Sequence, residues 1–270
     1  MNGFPGARRA PLALLAALLL LPIHPAAAQF GRRGGGNYIG PAPYVPTVQY
    51  DGRFTFARLS FVTGPGGYYY NGMPAWAHGY NLAERNLVQI LNSLSTVGPR
   101  LETGVVYNLD DPELFKYPLA YMAEADFWTL SDKEALAFRN YLLKGGFVIF
   151  DDFRDPGRFG GTGWDGFVAN MSRVLPHVRI FDLTPADPIF HTFYEINSFN
   201  IIPQNYDAGK PILRAIYEDN DPTRRMLAMI NFNTDVSNYW EFSAQGYMPI
   251  SQSNEAYKLG VNYLIYAMSH

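Results

Sequence analysis

The run "GGFVIFDDF", residues 145–153, constrains the fold more than any other stretch. Phe147 to Phe150 are apolar at every position, so neither face of this strand is suited to water. A strand of that kind belongs in the middle of a parallel sheet with helices on both sides. It follows directly on "SDKEALAFRNYLLKGG", in which Ser131 and Glu134 have capping-box spacing. The helix so opened is expected to turn Ala135, Leu136, Phe138, Leu142 and Leu143 to the core, and its glycines stop it.

The same alternation runs along the chain. "RFTFARLSF" (53–61) alternates apolar and polar residues as a first strand does. After a Gly- and Tyr-rich loop (62–80), Asn81 and Glu84 have capping-box spacing, and Leu87, Val88, Ile90, Leu91 and Leu94 form a helical stripe. "TGVVYNL" and "YPLAYMA" are the next strands, "WDGFVANMSRVLP" a helix and "VRIFDL" a strand. "PILRAIYE" and "RRMLAMINFN", joined by "DNDPT", predict a late edge hairpin. A polar aromatic loop (232–253) then leads to the closing helix "NEAYKLGVNYLIYAMSH", with Tyr257, Val261, Leu264, Ile265 and Met268 on its apolar face. Strands alternating with helices predict one three-layer α/β domain over 53–270, its central sheet mostly parallel and helices on both faces.

Arg8 and Arg9, the apolar run "APLALLAALLLL" and the small residues at 26 and 28 predict a secretory signal peptide over 1–28, cleaved after Ala28. That places the mature protein outside the cytoplasm, periplasmic or extracellular, with no stable membrane span after cleavage. Residues 29–52 are Gly- and Pro-rich without a period and read as a flexible linker. The chain has no cysteine, which excludes disulfides, thiol nucleophiles and thiolate metal sites. Without residues 1–28 there are 19 basic and 24 acidic residues, a net charge near −5, which argues against nucleic acid as a partner.

The chemistry is expected past the carboxyl ends of strands, where open α/β folds place their ligands. Asp151 and Asp152 end "FVIFDD" and precede Arg154 and a glycine-rich turn that leads to Trp164. Two carboxylates beside such a turn suit a sugar or a cation such as Ca²⁺ or Mg²⁺, or one Asp caps the next helix or pairs with Arg154. His191, after the turn "ADPIFH", is a candidate general base or metal ligand if it meets a carboxylate, and a structural histidine otherwise. His78, in the Gly- and Tyr-rich loop, ranks behind it. "INFNTDVSNYWEF" offers Asn233, Asp235, Trp240 and Glu241, the amides, acids and indole that carbohydrate sites use, though ordinary Asx turns use them too. Catalytic roles fall on Asp151, His191 and Asp235, and ligand contacts on Asp152, Arg154, Trp164, Asn233, Trp240 and Glu241. No G-x-S-x-G, Walker or H-E-x-x-H motif occurs, and of the five histidines His24 falls in the leader, which argues against a zinc enzyme with a histidine-rich shell and leaves the cofactor unknown.

Taken in order, "YLLKGGFVIFDDF", "DPIFHTFYEI", "NFNTDVSNYWEF" and "YKLGVNYLIYAMSH" resemble the bacterial domain of unknown function family 4159, from about Phe54 to His270. That family is similar in fold to the class I glutamine amidotransferase superfamily, a flavodoxin-like three-layer sandwich. The superfamily's amidotransferases carry a cysteine nucleophile on a strained elbow after a helix-Gly-Gly-strand unit. Aligned on Gly145 and Gly146, Asp151 stands at that elbow, so the resemblance implies a domain without amidotransferase chemistry. The function expected is binding of a small polar or sugar-like ligand or an envelope protein. The alternative is a hydrolase of a glycan or related polar substrate, using Asp151 with His191 or Asp235.

Overall fold

The computed structural model describes Met1 and residues 48–69, 72–155, 160–206 and 209–270. The expected leader and the linker up to residue 47 lie outside the described residues. The last linker residues are tied down, because Asp51 accepts from Arg100 at 2.6 Å and from Arg53 at 2.8 Å.

The strands are β1 (Ala57–Ser60), β2 (Val105–Asn108), β3 (Leu119–Ala123), β4 (Phe147–Phe153), β5 (Phe181–Asp182), β6 (Ile212–Tyr217) and β7 (Met226–Phe232). They form one seven-stranded sheet in the order β2-β1-β3-β4-β7-β6-β5. The first five in that order are parallel, and β6 and β5 are added antiparallel. The expected hairpin is thus present as β6 and β7, with β7 drawn in beside β4. The edge itself is β5, which pairs over only two residues, and so short an edge offers little template for another chain.

All seven residues of β4 are buried, as the unbroken apolar run required. Its side chains alternate between two cores. Phe147 and Ile149 pack with α1 (Leu82–Leu94), α4 (Val236–Glu241) and α5 (Ile250–Ser269). Val148 and Phe150 pack with α2 (Asp132–Leu143) and α3 (Gly163–Val174) on the other face. Each such side chain taken from water contributes roughly 1.5–3 kcal/mol, and this double burial makes β4 the axis of the fold. Gly145, at φ 118°, ends α2, and a Cβ on Gly146 would run into the Tyr141 ring.

Local expectations fare differently at the two capping boxes. Ser131 and Glu134 cap α2 reciprocally. Asn81 makes no side-chain cap on α1, and Glu84 is turned inward to a buried arginine, so neither half of that box forms. On α2 the buried stripe is Ala135, Phe138, Tyr141 and Leu142, while Leu136 and Leu143 are exposed. Tyr141 takes the inward place because its hydroxyl reaches the carbonyl of Tyr117 at 2.9 Å. The loop expected over 232–253 contains α4, started by Asp235, whose side chain accepts from the backbone of Asn238 at 2.8 Å. α5 begins at Ile250, four residues before the expected start. Among the described residues, no helix is long and apolar enough to cross a membrane.

Candidate functional site

Three neighbouring parallel strands end in the same unusual way. Glu124 after β3, Asp152 near the end of β4 and Asn233 after β7 have φ of 52°, 57° and 60°. Left-handed backbone is unfavourable for side chains other than glycine, least so for Asn and Asp, and tends to collect at functional sites. The three ends are stitched together: the Glu124 amide donates to Asp151 O at 3.0 Å and the Asn233 amide to Phe153 O at 2.9 Å. The pairing of β4 with β7 slips between Phe150 and Phe153, which lets Asp151 and Asp152 leave the regular ladder. All three left-handed residues are nearly fully buried.

A loop after β1 brings the fourth member, His78. Arg58, buried in β1, donates from Nη1 to the carbonyls of Trp76 (2.9 Å) and His78 (2.5 Å), and from Nε to Glu84 (2.5 Å). The His78 ring stacks on Tyr69 with centroids 4.9 Å apart. Its Nδ1 meets Asp152 Oδ2 in a short contact and lies 3.4 Å from Glu124 Oε1. Tyr206 donates its hydroxyl to the other Asp152 oxygen, and the Arg154 guanidinium sits 3.8 Å from the centre of the Tyr206 ring. Asp152 is therefore the hub of the cluster, held between an imidazole and a phenol.

Asp151 has a different role. Its carboxylate is completely buried and accepts from Tyr121 Oη (2.9 Å), Asn231 Nδ2 (3.1 Å), the Val236 amide (3.2 Å) and the Ser237 amide (2.9 Å). Asn231 in turn accepts from Tyr263 Oη at 3.0 Å. Asp235 caps α4 and also accepts from Ser237 Oγ at 2.9 Å. These two acids anchor the start of α4 to the sheet, satisfying amides that a helix N-terminus leaves open.

Electrostatics follow from this crowding. Burial alone lowers the proton affinity of His78, and the carboxylates of Asp152, Asp235 and Glu241 more than reverse it, raising its pKa to about 9. Burial, then repulsion from Asp152, pushes Asp151 up to about 6 against the pull of its donors, and the same two causes raise Asp235. Burial likewise raises Glu241.

Of the residues singled out in the sequence, Asp152 and Arg154 fall in this cluster, and Asn233 ends the adjacent strand with its Nδ2 on Lys210 O at 2.9 Å. Glu241 lies beside the His78 loop, its Oε2 3.2 Å from where a Cβ on Gly79 would be. Asp151 and Asp235 stand behind it as supports. His191 is not brought to either aspartate: it ends an outlying 3-10 turn, with Nδ1 on Glu195 Oε2 (2.5 Å) and Nε2 on Pro185 O (2.7 Å). Trp240 is 1% exposed, with Nε1 donating to Ala256 O at 2.9 Å, so its face is core and not a stacking platform. Trp164 packs between Phe167, Phe232 and Arg214. Glu124, Tyr206, Tyr69 and Arg58 were missed. Glu124 carries the signal that found Asp151, a carboxylate directly after an apolar strand. Tyr206 and Tyr69 lie in segments with no pattern to mark them.

Fold and site together define a class: a doubly wound α/β domain with the strand order 2-1-3-4 followed by β7, carrying a polar, mostly acidic cluster at its strand ends. The model of the family described as "Domain of unknown function (DUF4159)" matches residues 56–268, and the chain belongs to that family. No curated protein matches the chain.

Proposed function

We propose that this chain is an exported binding domain that takes a small polar or sugar-like ligand at the cluster around Asp152. The observation that carries the reading is the position of Asp152: left-handed backbone at the end of the central strand, with His78 on one oxygen and Tyr206 on the other. Export rests on the leader pattern of residues 1–28 and predicts a mature chain starting at Gln29. Kinship with the class I glutamine amidotransferase superfamily is supported by the 2-1-3-4 strand order and by the left-handed residue after the helix-Gly-Gly-strand unit. That residue is Asp152, one position beyond the alignment, and with no thiol in the chain the amidotransferase mechanism has no nucleophile.

A second reading, a hydrolase of a glycan or related polar substrate, is favoured by the contact of an imidazole with a carboxylate in one polar cluster. The pair that serves it is His78 with Asp152, since Asp151 is occupied by four protein donors and His191 lies elsewhere. An envelope protein is the remaining candidate occupant.

The test is a thermal-shift screen of the purified protein against sugars, glycan fragments and other small polar molecules, with Asp152→Asn in parallel. A ligand at 100 times its Kd adds about 2.7 kcal/mol of stability. A shift in the parent protein that vanishes in Asp152→Asn supports the reading. A shift retained in full by the variant moves the site away from Asp152, and no shift from any compound removes the small-ligand reading in favour of an envelope partner.

A further inference from the structure

We propose that His78, Glu124 and Asp152 bind one divalent transition-metal ion of the zinc or manganese class. The proposal deepens the ligand-site reading and rests on it for the location of the site. The donors are one imidazole nitrogen and two carboxylate oxygens, and all three ligand atoms lie within 4.8 Å of one another. Tetrahedral bonds of about 2.1 Å separate neighbouring ligand atoms by roughly 3.4 Å. His78 Nδ1 and Glu124 Oε1 are 3.4 Å apart. The closer His78–Asp152 contact has only to open for an ion to enter between the three.

The donors come from three separate segments, each held in place by contacts of its own backbone or ring. Glu124 and Asp152 end adjacent strands in left-handed backbone, and the amide of Glu124 is tied to Asp151 O. The His78 loop is held through its carbonyl by Arg58, and the ring by Tyr69. Metal ligands are usually oriented by a second layer of hydrogen bonds. Tyr206, on the far oxygen of Asp152, occupies that place. The imidazole nitrogen suits zinc and the two carboxylates admit manganese, whereas calcium and magnesium take all-oxygen ligand sets and calcium six to eight of them. Three protein ligands leave coordination positions open, the arrangement in which a metal polarises a bound polar group or activates water.

The experiment is metal titration of the purified protein after chelator treatment, by calorimetry with Zn²⁺, Mn²⁺, Ca²⁺ and Mg²⁺, and metal analysis after dialysis. We expect one equivalent of Zn²⁺ or Mn²⁺. Glu124→Gln and His78→Gln should weaken it by more than roughly 100-fold, beyond the ~10–100-fold lost when only an outer partner is removed, the loss expected for Tyr206→Phe. Circular dichroism confirms that each variant is folded, and since His78 is 22% exposed on a loop its replacement tests the site even if a buried variant fails. Co²⁺ substitution adds a readout on the parent protein, because its visible absorption reports nitrogen and oxygen ligation. Absence of Zn²⁺ or Mn²⁺ binding, binding of Ca²⁺ or Mg²⁺ alone, or undiminished affinity in His78→Gln would overturn the proposal. Polar-ligand binding by protein that takes up no added Zn²⁺ or Mn²⁺ would sink the metal and keep the ligand site. Metal binding without any organic ligand would do the reverse.

Discussion

Arg58 and Glu84 form an ion pair 2.5 Å long under the loop that carries His78, with both side chains almost wholly removed from solvent. The arginine also holds the carbonyls of Trp76 and His78, so one buried charge couples β1 and α1 to the geometry of the site. Removing one partner of such a pair strands the other, at a cost of about 3–5 kcal/mol. Glu84→Ala should therefore lower stability by that amount in denaturant titration. Glu84→Gln, which keeps a hydrogen-bond acceptor, should cost less, roughly 1–3 kcal/mol. A Glu84→Ala variant as stable as the parent would show that the pair contributes nothing.

Asp151→Asn exchanges a four-fold acceptor for a group with one acceptor oxygen and one donor NH₂. At least one of the Tyr121, Asn231, Val236 and Ser237 donors then faces another donor. Leaving a buried donor unmatched costs about 1–3 kcal/mol. The variant should unfold at lower denaturant concentration, and amide exchange should rise at the start of α4, the element those bonds anchor. Unchanged protection of Val236 and Ser237 would contradict the anchoring role.

Trp240→Ala should cost about 3–5 kcal/mol, the range for deleting a large buried aromatic from a core. His191→Gln should change stability by less than about 0.5 kcal/mol and leave any ligand-induced thermal shift intact, because its partners Glu195 and Pro185 lie outside the cluster. A lost ligand shift in His191→Gln would bring that histidine back into the site.

The contrast between these residues shows what the sequence could carry. The doubly apolar "FVIF", the α2 capping box and the helices interleaved with the strands are local signals, and they correctly gave a mostly parallel sheet covered on both faces. Asp152 was visible because it ends an apolar strand. His78 and Tyr206 reach it from 74 and 54 positions away, a closeness created by folding and carried by no local pattern. Glu84 looked like a capping residue for the same reason: spacing cannot show that a buried Arg58 competes for its carboxylate. Trp240 looked like a sugar platform because composition is blind to which side of a six-residue helix faces the core.

Alkaline pH should unfold the protein cooperatively, through its buried tyrosines. Burial, and then the charge of nearby acids, raises Tyr239 to about 12 and lifts Tyr121, Tyr206 and Tyr263 well above the ordinary value near 10. The hydroxyls of Tyr121 and Tyr263 are committed as donors to Asp151 and Asn231, and a phenolate could donate to neither. A group whose pKa is higher folded than unfolded stabilises fully below the unfolded value and loses that contribution as pH rises toward the folded one. Stability should thus hold up to about pH 10 and fall from there through pH 12. Exposed tyrosines such as Tyr50 and Tyr247 should ionise first, and the later rise in tyrosinate absorption should coincide with loss of near-UV dichroism, because the buried phenols ionise only as the sheet opens. Complete tyrosinate formation with the near-UV signal preserved would show that these hydroxyls reach solvent without unfolding, and the hydrogen-bonded support behind Asp151 would have to be redrawn.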